Sequence, residues 1–276
     1  MLEAVFLGIL QGLTEFLPIS SSAHIRIAGE FFGTNEDPGA TFTAITQIGT
    51  ELAVLIYFRR DIARIGRAWL RRLLHKDLPA EQLQDAKMGW LIILGSIPIV
   101  VLGYLGQDLI REDFRSLWLI AFTLIIFGLL LGAADRYGKT ERDLPQLTRF
   151  HGILYGLAQS LALIPGVSRS GATIAMGRFL GYTRESALRY SFLLALPAVF
   201  GSGLYELKGA ISESSRTEVF SIFETLVATS FAFIIGYAVI AWLIKFVTTR
   251  SFAPFIAYRI ALGSILLVLL ATGVIS

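Results

Sequence analysis

A series of apolar runs, each close to bilayer length, constrains this chain more than any other feature. They fall at about residues 40–58, 90–106, 117–134, 186–206, 221–247 and 254–274. A helix needs roughly 17–25 residues to cross the hydrocarbon core, and in lipid its backbone polar groups must be satisfied within the segment. Each run is therefore read as a spanning helix. Composition agrees: 16% of the 276 residues are charged, against about 25% in a typical soluble domain. The start, Met1-Leu2-Glu3, lacks the basic region of a cleavable signal peptide, so the first apolar segment is expected to remain. Absence of cysteine excludes disulfides, thiol catalysis and thiolate metal sites. No nucleotide-binding glycine loop or nucleic-acid module is present, and nucleic acid is not an expected partner.

Two stretches, 2–33 and 150–181, do not read as simple spans. Both begin apolar and then break at a proline followed by Ser, Arg, His or Thr. Irregular backbone is tolerated at membrane depth only where protein or a water-filled cavity surrounds it, so both are expected to be re-entrant helix–loop–helix hairpins. They also align: Gly8-Ile9-Leu10-Gln11-Gly12-Leu13 with Gly152-Ile153-Leu154-Tyr155-Gly156-Leu157, and Ser20-Ser21-Ser22 with Ser168-Arg169-Ser170. Each hairpin precedes three spanning candidates. The expected fold is an all-α polytopic membrane protein made of two repeats, 1–149 and 150–276. Segment 59–89, read as a loop, carries eight Lys/Arg and 135–149 carries four, against two each in 107–116 and 207–220. The positive-inside bias places the first two in the cytoplasm and the arginines of 59–72 against anionic lipid head groups. Three spans per half then make the second repeat inverted, with the hairpins dipping in from opposite sides toward a shared central site.

The polar residues of the hairpins supply two chemical kits. In Pro165-Gly166-Val167-Ser168-Arg169-Ser170-Gly171-Ala172-Thr173, Pro and Gly end one helix and the following residues open another. The new helix exposes N–H groups suited to phosphate. Ser168, Ser170 and Thr173 add hydroxyls, and Arg169 adds a planar fork that matches phosphate oxygens. Arg169 snorkelling to the interface, with the serines as caps, is the competing account. In the first hairpin Gln11 and Glu15 are four apart and share a helix face, as do Ser20 or Ser21 with His24. Carboxylate, imidazole and hydroxyl together suit nucleophilic or acid–base catalysis. Glu15 is also suited to a hard divalent cation, with Gln11 as neutral co-ligand. Gln47 and Glu51, again four apart, either line the same cavity or join helices by hydrogen bonds. Arg259 is expected to snorkel from the end of the last span, and His75 is given no role.

The chain resembles bacterial undecaprenyl-diphosphate phosphatases of the bacitracin-resistance type. The matching pieces are Gln11-Gly12-Leu13-Thr14-Glu15-Phe16-Leu17-Pro18, Ser20-Ser21-Ser22-Ala23-His24, Pro165 through Thr173, Gln47-Ile48-Gly49 and Tyr258-Arg259, in order over nearly the whole length. This resemblance implies hydrolysis of a C55 isoprenyl diphosphate to the monophosphate, recycling the lipid carrier of cell-wall synthesis. It implies a divalent cation such as Mg²⁺ or Ca²⁺, a bacterial plasma-membrane setting among membrane lipids, and a site opening to the extracytoplasmic side. A homodimer is compatible with it. By matching position, it makes Glu15 the second acidic residue of a pair, Ser21 and His24 the catalytic hydroxyl and imidazole, and Arg169 the diphosphate-binding arginine. At the first acidic position this chain has Gln11, where many members have glutamate; Gln11 cannot serve as acid, base or anionic ligand. Glu51 is a candidate substitute.

Two mechanisms stay open at this level: Ser21 attacks with His24 as base and Glu15 orienting the imidazole or holding the cation, or His24 attacks. Ser20, Ser168, Ser170, Thr173 and Gln47 are expected to contact substrate. A secondary transporter or flippase for an isoprenyl phosphate is the alternative from another functional class, since broken helices and midplane charges suit transport equally.

Overall fold

The computed structural model describes residues 1–31, 40–74, 77–106, 116–212 and 220–275. His75, residues 32–33, nearly all of 107–116 and residues 213–219 lie outside them. Eleven α-helices are present among the described residues: α1 (Leu2–Thr14), α2 (Ser21–Phe31), α3 (Ala40–Tyr57), α4 (Arg59–Leu73), α5 (Ala80–Leu105), α6 (Leu117–Tyr137), α7 (Arg149–Ser160), α8 (Arg169–Phe179), α9 (Arg184–Ser212), α10 (Ile222–Thr249) and α11 (Ala253–Ala271). Five of them, α5, α6, α9, α10 and α11, are long and apolar enough to cross a membrane. Their outward faces carry exposed Tyr104, Leu105, Ile234 and Val268, side chains that water would penalise and acyl chains accept. The protein is multi-pass. The sixth expected span, α3, is apolar over Phe42–Tyr57, a shorter stretch than the other five; Thr46, Thr50 and Glu51 on it are fully buried within the protein.

One expected loop is a helix. Segment 59–89 contains α4 and the start of α5. Ile62, Ile65, Ala68 and Trp69 recur at helical spacing and form the inner stripe, while Arg60, Arg64, Arg67 and Arg71 face outward. Trp69 meets Trp90 of α5 edge-on at 5.6 Å, and Asp61 bonds Arg189 of α9 at 3.1 Å. A high arginine count here marks an amphipathic helix beside the bundle.

Both broken segments take the form helix, irregular turn, helix: α1 then α2, and α7 then α8. Ser20 (φ 75°) and Ser168 (φ 69°) are the only non-glycine residues with positive φ among the described ones. Each precedes the first residue of the second helix and caps it. Ser20 Oγ accepts from the Ala23 N–H at 3.4 Å, and Ser168 Oγ accepts from the Gly171 N–H at 3.1 Å. Each also pairs with the hydroxyl two residues on, Ser22 or Ser170, at 3.1 Å.

Packing follows the same correspondence. Helix α1 lies on α10 and α7 lies on α5, so each hairpin's first helix docks on a span of the other half. The aligned glycines make the close approach possible. A Cβ on Gly8 would strike the Ala228 carbonyl and one on Gly12 the backbone of Ala232; a Cβ on Gly156 would strike the backbone of Gly95. Spaced small residues allow such helix contacts where no hydrophobic drive between helices exists. The largest buried apolar cluster includes Phe16, Phe58, Ile174, Phe192 and Leu243, with Phe16 and Phe192 edge-to-face at 5.2 Å. It packs beside the two turns.

Arg259 corrects an expectation. It does not snorkel: the residue is completely buried in α11. Its guanidinium donates to Pro18 C=O at 3.1 Å, Gly166 C=O at 2.9 Å, Val167 C=O at 3.0 Å and Leu124 C=O at 3.2 Å. Breaking a helix frees carbonyls that lipid cannot satisfy; here one cation satisfies carbonyls from both turns. Thr123 of α6 adds a hydroxyl bond to Pro165 C=O at 2.8 Å. Between these contacts Gly166 adopts φ +89°, and a Cβ there would collide with Thr123 and the Ile120 carbonyl, so glycine alone fits.

Candidate active site

The C-terminal end of α1, the N-terminus of α2, the middle of α3 and the N-terminus of α8 meet beside the two turns. Arg169, at the first position of α8, directs Nη2 to Glu15 Oε1 at 2.7 Å and to Glu51 Oε1 at 2.6 Å. Glu15 Oε2 accepts from Ser21 Oγ at 2.7 Å and from Gln11 Nε2 at 2.7 Å. Hydroxyl, carboxylate and guanidinium thus form a continuous chain that draws on both halves of the sequence. The setting is nearly dry: Glu51 and Gln11 are fully buried and Glu15 is 7% exposed. Low local polarity strengthens each of these contacts.

Three polar atoms of this cluster are buried without a hydrogen-bond partner among the described residues: Arg169 Nη1, Glu51 Oε2 and Gln11 Oε1. Buried polar groups are nearly always paired, so atoms left over at a site point to ligands. The donor suits an anion and the two oxygens suit a hard cation. No group of three or more His, Cys, Asp or Glu side chains with metal-binding geometry occurs among the described residues. A site built on two carboxylates and an amide oxygen instead matches cations that keep water or phosphate oxygens as further ligands.

His24 sits one turn after Ser21 on α2 but does not bond to it. Its Nδ1–H donates to Ser20 C=O at 2.7 Å, which leaves Nε2 to accept from the Tyr258 hydroxyl at 2.8 Å. The rings stack at 5.6 Å, 9° from parallel. The expected Ser21–His24 pair is therefore replaced by Ser21–Glu15 and His24–Tyr258. Nor does Glu15 orient the imidazole; the Ser20 carbonyl, turned by its positive φ, does so. Tyr258 was noticed in the sequence as part of a familiar pair and given no chemical role.

The hydroxyls expected to contact phosphate are mostly committed within the protein. Ser168 and Ser20 serve as the caps described above. Ser170 Oγ donates to Leu17 C=O at 3.1 Å, tying the second turn to the first. Thr173 is fully buried; its hydroxyl bonds Arg169 C=O at 2.8 Å and the hydroxyl of Ser191. One turn into α8, its hydroxyl is turned toward α9. Gln47 is half-buried and its side chain makes no hydrogen bond to the cluster. Glu51, on the same helix face, enters the cluster directly. Its spacing of four from Gln47 is the sequence signal that points to it.

The arrangement can hold a phosphate against Arg169, place a hydroxyl at its edge and take up that hydroxyl's proton on a carboxylate. The model of the family described as Bacitracin resistance protein BacA matches residues 4–265. An undecaprenyl-diphosphatase of Pseudarthrobacter chlorophenolicus is 60% identical over 274 residues, covering 99% of this chain and 98% of the relative. An undecaprenyl-diphosphatase of a Nocardioides species is 59% identical over 275 residues, with 100% and 98% covered. One from Micrococcus luteus is 59% identical over 279 residues, with 100% and 99% covered.

Proposed function

The chain belongs to the Bacitracin resistance protein family, and on that premise we propose that it hydrolyses undecaprenyl diphosphate to undecaprenyl phosphate and inorganic phosphate. The reaction recycles the lipid carrier of cell-wall synthesis and confers bacitracin resistance. The observation that carries the reading is the unbroken chain Ser21–Glu15–Arg169, joined at 2.7 Å and 2.7 Å, in a protein whose relatives are named for this reaction.

The isoprenyl tail stays in lipid while the diphosphate enters beside Arg169. Nη1 of Arg169, which has no partner among the described residues, and the first-turn N–H groups of α2 and α8 bind its oxygens and the charge that grows on the leaving group. Ser21 Oγ attacks the terminal phosphorus, the bond to the bridging oxygen breaks, and its electron pair leaves with undecaprenyl phosphate. The hydroxyl proton passes to Glu15 Oε2. Water then attacks the phosphoserine, its proton relayed by the Tyr258 hydroxyl to His24 Nε2; the Ser21 Oγ–P bond breaks, Ser21 recovers its proton from Glu15, and His24 gives its proton back to the departing inorganic phosphate. Ser21 is favoured over His24 as nucleophile because it is the more exposed of the two and because both imidazole nitrogens are engaged. A divalent cation, Mg²⁺ or Ca²⁺, held by Glu15 with the Gln11 amide oxygen, supplies charge neutralisation on the phosphate when bound.

We place this multi-pass protein in the bacterial plasma membrane with its two halves inverted and the hairpins entering from opposite sides. The basic segments 59–89 and 135–149 face the cytoplasm and the site opens extracytoplasmically. The shared backbone at Ser20 and Ser168 and the exchanged docking of α1 and α7 support the repeat. Those same features favour transport of an isoprenyl phosphate as a second reading. Detergent-purified protein given undecaprenyl diphosphate decides between them. A phosphatase releases phosphate, loses that activity in chelator and regains it with Mg²⁺ or Ca²⁺. A transporter releases none.

A further inference from the structure

Hydrogen bonding is incomplete around Arg169. Two carboxylates, Glu15 and Glu51, converge on one guanidinium. Glu51 is 0% exposed on α3 and Glu15, just past the end of α1, is 7% exposed. An oxygen left unpaired in such a setting is costly, and the unpaired ones are identifiable. Both Glu15 oxygens are taken, Oε1 by Arg169 and Oε2 by Ser21 and Gln11. Glu51 has given only Oε1 to Arg169; among the described residues its Oε2 and the amide oxygen of Gln11 are both buried without a partner. A neutral amide on α1 and a carboxylate on α3 thus present free oxygens beside one another's partners.

We propose that Glu51 is the second anionic ligand of a divalent-cation site formed with Glu15 and the Gln11 amide oxygen, its acidic pair divided between α1 and α3. The inference rests on the phosphatase reading only for the purpose of the cation; Glu51 Oε2 and Gln11 Oε1 enter the ligand set as unpaired buried oxygens, and Glu15 as the carboxylate bonded to Gln11. Hard cations take carboxylate and carbonyl oxygens and complete their shell with water or substrate phosphate, so two carboxylates and one amide suffice.

Calorimetric titration of Ca²⁺ and Mg²⁺ into detergent-purified full-length protein, without substrate, tests the assignment. Wild type is expected to bind one cation. Glu51→Gln, isosteric with the native residue, is expected to weaken binding by roughly 10–100-fold. The exchange Gln11→Glu with Glu51→Gln restores two charges and is expected to recover most of the affinity, which a merely unfolded variant would not do. Glu141→Gln, at an exposed position 70% accessible at its side chain, is expected to match wild type. Unchanged cation affinity in folded Glu51→Gln overturns the inference, as does the absence of any cation binding by wild type. A cation bound through Glu51 in a protein that releases no phosphate defeats the phosphatase reading alone. Cation-dependent phosphate release indifferent to Glu51 defeats this inference alone.

Discussion

Ser20 and Ser168 share a positive φ, 75° and 69°, each at the turn between the two helices of its hairpin, and a carbonyl of each turn, Pro18 C=O and Val167 C=O, accepts a hydrogen bond from the single guanidinium of Arg259. A positive φ costs a serine on the order of 1–3 kcal/mol and persists only where the surroundings fix it. Here a side-chain cap, a serine pair and Arg259 fix it twice. The two N-termini that result lie side by side, joined by Ser170 Oγ to Leu17 C=O, and this brings Ser21 and Arg169 to the same carboxylate.

Replacing Arg259 tests that clamp. Arg259→Met removes the donor to carbonyls of both turns and leaves them buried; each unsatisfied group costs about 1–3 kcal/mol. Thermal unfolding in detergent should fall by several degrees and phosphate release should drop at least tenfold. Arg259→Lys keeps the charge but not the fork, so it should rescue stability only in part.

The small-residue contacts can be tested in pairs. Gly8→Val and Gly156→Val each insert a side chain where backbone carbonyls already stand. Overpacking of this kind costs typically 1–3 kcal/mol. Both variants should unfold at lower temperature than wild type, by similar amounts because the contacts correspond. Gly66→Ala, which meets nothing within 4 Å, should not.

Arg169→Lys should reduce phosphate release by roughly 10²–10³-fold, the usual effect of losing one donor to developing charge. A point charge cannot hold Glu15 and Glu51 while also directing a second N–H to phosphate. Steady-state kinetics should show the loss mainly in kcat.

Tyr258→Phe keeps the ring stacked on His24 and removes the hydroxyl bonded to Nε2. Loss of a single hydrogen bond of about 1–1.5 kcal/mol should lower kcat roughly tenfold with little change in thermal unfolding. It should also alter the pH–rate profile, since the imidazole loses its only donor.

Much of this architecture was legible in the sequence because it is written in local terms. Apolar length gave the spans, the Pro18 and Pro165 breaks gave the turns, and the Gly-Leu alignment marked the corresponding helices α1 and α7. Convergence of Glu15, Ser21 and Arg169 followed from placing the turns together. Pairings across distance were not legible. Nothing local tells that Arg259 meets the carbonyls of two remote turns, or that His24 pairs with Tyr258 in α11, so Arg259 was read as an interfacial residue and His24 as the partner of Ser21. Segment 59–89 was misread for a different reason: its arginine count masked an apolar stripe at Ile62, Ile65 and Trp69 that makes it helical. Glu51 is marked in the sequence only by its spacing from Gln47 and as a candidate substitute carboxylate; its burial against Arg169 depends on the packing of α3.

The attack by Ser21 is the centre of this account, and acid-quenched turnover of undecaprenyl diphosphate labelled at its terminal phosphate tests it most directly. The label should appear on the protein as an acid-stable phosphoester, map to Ser21 and vanish in Ser21→Ala together with phosphate release. Acid-labile label on His24, or wild-type turnover by Ser21→Ala, would contradict it.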